Sequence, residues 1–125
     1  MSSKKIFVVD DEEMFAMMVS DHLQKNPDYD ISVFHTGEEA IAELHQEPDV
    51  VILDYQLNTV VPDAQDGVHI LQAIKKIDKD TTVIMLSSQD NYNKALQTII
   101  KGALEYVVKD DNAFVRIDKI LSELS

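Results

Sequence analysis

The sequence predicts an α/β domain in which five parallel strands form a doubly wound sheet with helices on both faces. Three observations predict it. Short β-branched runs alternate with amphipathic stretches along the whole chain. Two of those runs, Val50-Val51-Ile52-Leu53 and Val83-Ile84-Met85-Leu86, are continuously apolar, as strands covered on both faces must be. No repeat, low-complexity tract or linker interrupts the alternation, and 125 residues with 45% hydrophobic side chains can bury a core without metal or disulfide staples, so a single domain over 1–125 is expected.

The first strand is expected over Lys5 to Val9, followed by a helix over Glu12 to Lys25. The second strand, Ile31 to Phe34, is split by polar residues and reads as an edge strand; a helix over Glu38 to Gln46 follows it. The third strand, Val50 to Leu53, leads through an unusually long polar loop, Gln56 to Asp66, into a helix over Gly67 to Ile77. Val83 to Leu86 and a helix over Asn91 to Lys101 make the fourth unit, and Leu104 to Val108 with Asn112 to Leu124 the fifth. That last helix carries Phe114, Ile117, Leu121 and Leu124 at helical spacing with Arg116, Asp118, Lys119 and Glu123 between them, so one face is buried and the other wet. Five strands each followed by a helix give a (βα)₅ chain. Right-handed crossovers then favour a doubly wound parallel sheet, expected in the flavodoxin-like order 2-1-3-4-5, and such a sheet binds ligands outside the carboxyl ends of its strands.

Composition narrows the function. There is no cysteine, so thiol nucleophiles and zinc–thiolate sites are excluded and a reducing cytoplasm is the expected location. Eleven basic against 23 acidic residues give 11 − 23 = −12, which disfavours attraction to nucleic acid or to an anionic membrane. The apolar stretch at Ile6 to Val9 is too short for a signal-peptide core or a membrane span.

The strand ends pick out the chemistry. Asp10 and Asp11 follow the first strand, Asp54 the third, Ser87 the fourth and Lys109 the fifth, so three carboxylates, a hydroxyl and an ammonium should meet at one edge. Like charges disfavour one another's ionised form unless a cation sits among them, and oxygen-only ligands point to a hard ion: Mg²⁺, with Ca²⁺ or Mn²⁺ as substitutes. A metal beside Asp54, faced by Lys109 and Ser87, is what phosphoryl transfer to a carboxylate requires.

Asp10-Asp11 after a strand, Asp54 after Val-Ile-Leu, Ser87 after a fourth apolar strand, and Tyr106-Val-Val-Lys109 together resemble the receiver domain of two-component response regulators, over nearly the whole chain. The resemblance implies that Asp54 is the phospho-acceptor, that Asp11 and the Gln56 backbone carbonyl ligate Mg²⁺ directly with Asp10 acting mostly through water, and that Lys109 pairs with the phosphoryl group. It further implies that Ser87 and Tyr106 form the switch and that Gln56 and Gln89 tune the phosphoryl lifetime. The implied partners are a histidine kinase or histidine phosphotransfer protein upstream and an unidentified protein downstream, met through the fourth helix, fifth strand and fifth helix. No turnover of a separate substrate is expected. A phosphorylation-independent interaction module and a Mg²⁺-dependent phosphatase are the competing readings; such phosphatases often carry a second acid two residues after the nucleophile, where this chain has Gln56.

The chain departs from the family pattern in two places. Leu57-Asn58 stand where Met-Pro is usual, and the first glycine after Asp54 is thirteen residues on (67 − 54), so the loop over 57–66 is about five residues longer than the pattern. Asp110 follows Lys109 where proline is usual, so that peptide bond is expected to be trans, the cis form costing about 2.5–4 kcal/mol without proline. Asp110 or Asp111 is expected to cap the fifth helix. Ser88 rivals Ser87 for the switch role. The histidines at 22, 35, 45 and 69 have no metal-ligand spacing and are expected to be solvated or locally bonded. Met14, Phe15, Met17 and Met18 make the first helix unusually apolar. Core packing explains most of this; Met14 or Met18 at the surface would favour a docking face.

Overall fold

A computed structural model describes residues 4–58 and 65–124. Strands β1 (Lys4–Val9), β2 (Tyr29–Phe34), β3 (Val50–Asp54), β4 (Thr82–Ser87) and β5 (Glu105–Val108) alternate with helices α1 (Glu13–Leu23), α2 (Gly37–Ala42), α3 (Gly67–Ile77), α4 (Tyr92–Ile100) and α5 (Ala113–Ser122). All strand pairings are parallel and the order is β2-β1-β3-β4-β5, the expected doubly wound arrangement with β2 at an edge. No helix among the described residues is long and apolar enough to cross a membrane.

The period of two along the strands splits the core into two layers. Ile6, Val8, Val50, Ile52, Ile84, Leu86 and Val107 pack with Ala16, Val19 and Leu23 of α1 and Ala113, Ile117 and Leu121 of α5. Phe7, Val9, Val51, Leu53, Val83 and Met85 face the other way, against Ala40 of α2 and Ile70, Leu71 and Ile74 of α3. Leu57, at the start of the segment read from sequence as a polar loop, is fully buried in this second layer. The rest of that loop reading falls largely on residues 59–64, which lie outside the described residues.

Element ends are set by pairing and capping. β2 begins two residues before its apolar run because Lys4 and Lys5 pair with Tyr29 and Asp30. The single helix expected over Glu38 to Gln46 is instead α2 followed by a 3₁₀ turn, Leu44–Gln46. A Thr36–Glu39 capping box starts α2, while Pro48 keeps Glu47 out of the right-handed helical region; Glu47 adopts φ 57° and the chain tightens before it. The capping role expected of Asp110 or Asp111 is not observed. Asn112 occupies the cap position of α5 without a side-chain cap bond. Asp110 instead accepts the Asn112 amide at 2.9 Å and pairs with Arg116 at 2.7 Å, a stronger charge-assisted use of the carboxylate. The Lys109–Asp110 bond is trans.

Gly67 fixes where α3 restarts after the long loop. Its amide donates to the Tyr55 carbonyl at 2.9 Å, and a Cβ there would lie 2.2 Å from the Asp54 carbonyl oxygen, so only glycine lets the helix start this close to the end of β3.

Candidate functional site

Adjacent strands deliver their last residues to one edge. Asp54 ends β3 in register with Leu86, so the next residue, Tyr55, donates its amide to the Leu86 carbonyl at 2.7 Å. The Lys109 amide donates to the Ser87 carbonyl at 2.7 Å, and the Asp10 amide to the Phe34 carbonyl at 3.0 Å. These ladder bonds continue the sheet by one rung and hold the four side chains on a rigid frame.

Asp10, Asp11 and Asp54 are all buried, and each offers a carboxylate oxygen within 4.8 Å of the others. The Lys109 ammonium, on a side chain 11% exposed, lies 2.9 Å from Asp10 Oδ2 and 3.3 Å from Asp54 Oδ1. The Glu12 amide donates to Asp10 Oδ1 at 2.9 Å, so Asp10 also starts α1, as an acid before a helix does. The Gln56 amide approaches Asp54 Oδ1 at 3.4 Å. A cleft of about 110 Å³ opens beside these groups, lined by Asp11, Glu12, Asp54, Gln56, Ser88 and Lys109.

One ammonium does not balance three carboxylates. Burial, then the charge of Asp10, pushes the Asp54 carboxyl up to about 8, with Lys109 opposing in part. Burial alone would lower the Lys109 ammonium, but the Asp54 and Asp10 charges outweigh it and hold it above the ordinary lysine value. Asp10 Oδ2 is fully buried and, beyond its ion pair with Lys109, receives no hydrogen bond among the described residues. Surplus buried negative charge, an under-satisfied carboxylate oxygen and all-oxygen donors fit a hard divalent cation.

The switch candidates form a connected chain. Ser87 is buried, and its Oγ accepts the Gln89 amide at 3.0 Å. The Tyr106 hydroxyl donates to the Gln89 carbonyl at 2.7 Å, so Gln89 bridges both residues through its backbone. The exposed Ser88, not Ser87, lines the cleft.

Sequence reasoning missed several neighbours. Tyr55 lies between Tyr106, edge to face at 6.4 Å, and the Lys94 ammonium 5.3 Å above its ring, while Lys94 also donates to the Gln89 side chain. Phe15, read as packing or docking, has the Lys109 ammonium 4.6 Å from its ring centroid. No spacing in the sequence signalled it, since Phe15, in the first turn of α1, and Lys109 lie far apart along the chain. Two histidines are locally bonded as expected, His69 to Asp66 at 2.7 Å and His45 to the Ala42 carbonyl at 3.1 Å; the other two instead bond across the fold, His22 to Asp118 at 2.8 Å and His35 to the Asp10 carbonyl at 3.2 Å.

The family model of the response regulator receiver domain matches residues 6–120. The chain is 28% identical to the chemotaxis protein CheY of Bacillus subtilis (strain 168) over 97% of its own length and 94% of that protein. It is 32% identical to the regulatory protein VanRc of Enterococcus gallinarum over 98% of its length but 50% of that protein. The chain likewise spans about half or less of several further curated relatives that it matches. Among solved structures it superposes on the signal receiver domain of a putative LuxO repressor protein from Vibrio parahaemolyticus with a TM-score of 0.84 and 28% identity, covering 98% of this chain and 90% of that one.

Proposed function

The chain belongs to the response regulator receiver domain family, and we propose on that premise that Asp54 is its phosphoryl acceptor, with Mg²⁺ held by Asp10, Asp11, Asp54 and the Gln56 carbonyl. Receiver domains are phospho-accepting switches, not turnover enzymes. The observation that carries the residue assignment is the meeting of Asp54 with two further buried carboxylates and the Lys109 ammonium at one strand edge.

In the transfer, an Asp54 carboxylate oxygen attacks phosphorus. The bond from phosphorus to the donor breaks, and its electron pair leaves with the donor group. When bound, the cation supplies positive charge to the phosphoryl oxygens and keeps Asp54 ionised, against the burial that otherwise protonates it at neutral pH. Lys109 turns from its carboxylate partners toward the phosphoryl oxygens, and the Glu12 amide holds Asp10 in place. The Ser87 hydroxyl, which already accepts the Gln89 amide, donates its own hydrogen to the new oxygens, and a move of Oγ toward them draws on Gln89 and with it the Tyr106 hydroxyl. Gln56, which lines the cleft, and Gln89, next to the cleft-lining Ser88, set how readily water reaches the acyl phosphate.

The donor in this reading is a histidine kinase or phosphotransfer protein. Met14, Met17 and Met18 are 74%, 56% and 49% exposed, which supports α1 as an adaptable docking face beside the cleft. Output passes through α4, β5 and α5, where Tyr92, Leu96, Ile99 and Ile100 of α4, Leu104 just before β5 and Val115 of α5 are exposed. A single receiver domain over 1–125 and a cytoplasmic location are parts of the same proposal. Beryllofluoride with Mg²⁺, a mimic of the phosphorylated carboxylate, tests it by amide NMR. Shifts at Ser87, Gln89, Tyr106 and α4 in the wild type, lost in Asp54→Asn, are expected; an unperturbed spectrum would refute it.

A further inference from the structure

We infer that Phe15 is a positioning residue for Lys109, its ring face acting as an uncharged third partner that keeps the ammonium beside Asp54. The inference rests on the reading that Lys109 meets the phosphoryl group.

Lys109 Nζ has two anionic contacts, Asp10 at 2.9 Å and Asp54 at 3.3 Å, and the Phe15 centroid at 4.6 Å. Its side chain is 11% exposed, so the ammonium has shed most of its water and feels the ring quadrupole in a poorly screened setting. The two kinds of contact differ in what competes for them. Both carboxylates also belong to the three-aspartate cluster, so whatever a bound cation takes from Asp10 and Asp54 is lost to Lys109. A phenyl ring offers a hard cation no oxygen donor, and its hold on the ammonium survives that competition.

The ring is braced. Phe15 packs partly buried against the α1–α5 core layer and meets Phe114 at 6.1 Å; Phe114 stacks on His22 at 4.9 Å, and both Asp118 carboxylate oxygens hold His22 Nε2, at 2.8 and 3.0 Å. A side chain fixed in this way can fix another. The same first turns of α1 that follow the acid pair therefore also set the arc along which Lys109 moves between Asp10 and a phosphoryl oxygen.

The test compares wild type, Phe15→Leu, which keeps apolar bulk without a face, and Phe15→Tyr, which keeps the face. Phosphorylation by acetyl phosphate at saturating Mg²⁺ is followed by intact mass, Mg²⁺ affinity by titration, and the Lys109 ε-methylene protons by NMR with and without Mg²⁺. Expected are an upfield ring-current shift of those protons in wild type and Phe15→Tyr, its loss in Phe15→Leu, and phosphorylation about tenfold slower in Phe15→Leu only, with Mg²⁺ affinity unchanged. In a Lys109→Met background, Phe15→Leu should add no further slowing. Wild-type speed in Phe15→Leu, no recovery in Phe15→Tyr, or equal slowing without the lysine would overturn the inference. Failure of the wild type to take up phosphoryl would instead refute the underlying reading, and the ring-current shift would still decide whether Phe15 holds the lysine.

Discussion

Replacing Asp54 with asparagine should make the cation-free protein more stable, because the folded state keeps a carboxyl where ionisation is disfavoured. Burial and the Asp10 charge raise the Asp54 value from 3.8 to about 8. Between those values the folded chain binds a proton that the unfolded chain has released, so the contribution of Asp54 to stability falls as pH rises across that window and is constant above it. From 3.8 to pH 7 is about three pH units at about 1.4 kcal/mol each, a ceiling of about 4 kcal/mol. Sharing the proton among Asp54, Asp10 and Lys109 reduces this to about 2 kcal/mol, which for a domain of this size raises Tm by several degrees. The assay is urea and thermal unfolding by far-ultraviolet circular dichroism in EDTA, at intervals from pH 4 to 9. Asp54→Asn should exceed wild type at pH 7, gain most above pH 8, and converge with it near pH 4. Added Mg²⁺ should narrow the gap by stabilising the wild type. A variant equal to or weaker than wild type at pH 7, or an advantage that grows toward acid, would refute the charge balance derived for the site.

Other consequences follow from packing and from the hydroxyl network. Gly67→Ala should cost about 1–3 kcal/mol by denaturant unfolding, since its Cβ would sit 2.2 Å from the Asp54 carbonyl oxygen, and it should slow phosphorylation by moving the end of β3. Leu57→Ala, a fully buried truncation, should cost about 2–5 kcal/mol, whereas a surface-loop residue would cost almost nothing. Ser87→Ala should abolish the beryllofluoride-induced shift at Tyr106 and Ser88→Ala should spare it; the reverse pattern would assign the switch to the serine that lines the cleft.

Much of this was legible because the sheet is simple. Continuous apolar runs at Val50 to Leu53 and Val83 to Leu86 could only be central strands, and once β1, β3, β4 and β5 are parallel neighbours, Asp10, Asp54, Ser87 and Lys109 must share an edge. What stayed hidden depends on side-chain direction and on local competition between partners. Asp110 offered a good cap, but Arg116 took its carboxylate. The helix that periodicity ran to Gln46 ends at Ala42 and tightens into a 3₁₀ turn. The Phe15 ring against Lys109 joins residues 94 positions apart (109 − 15), a contact set by how α1 crosses the sheet.

The most direct test of the central claim is intact mass after incubation with acetyl phosphate and Mg²⁺, comparing wild type with Asp54→Asn. The account predicts one added phosphoryl group in the wild type, none in EDTA and none in the variant. A wild type that binds Mg²⁺ but takes up nothing, or a variant labelled as fully as wild type, would contradict it.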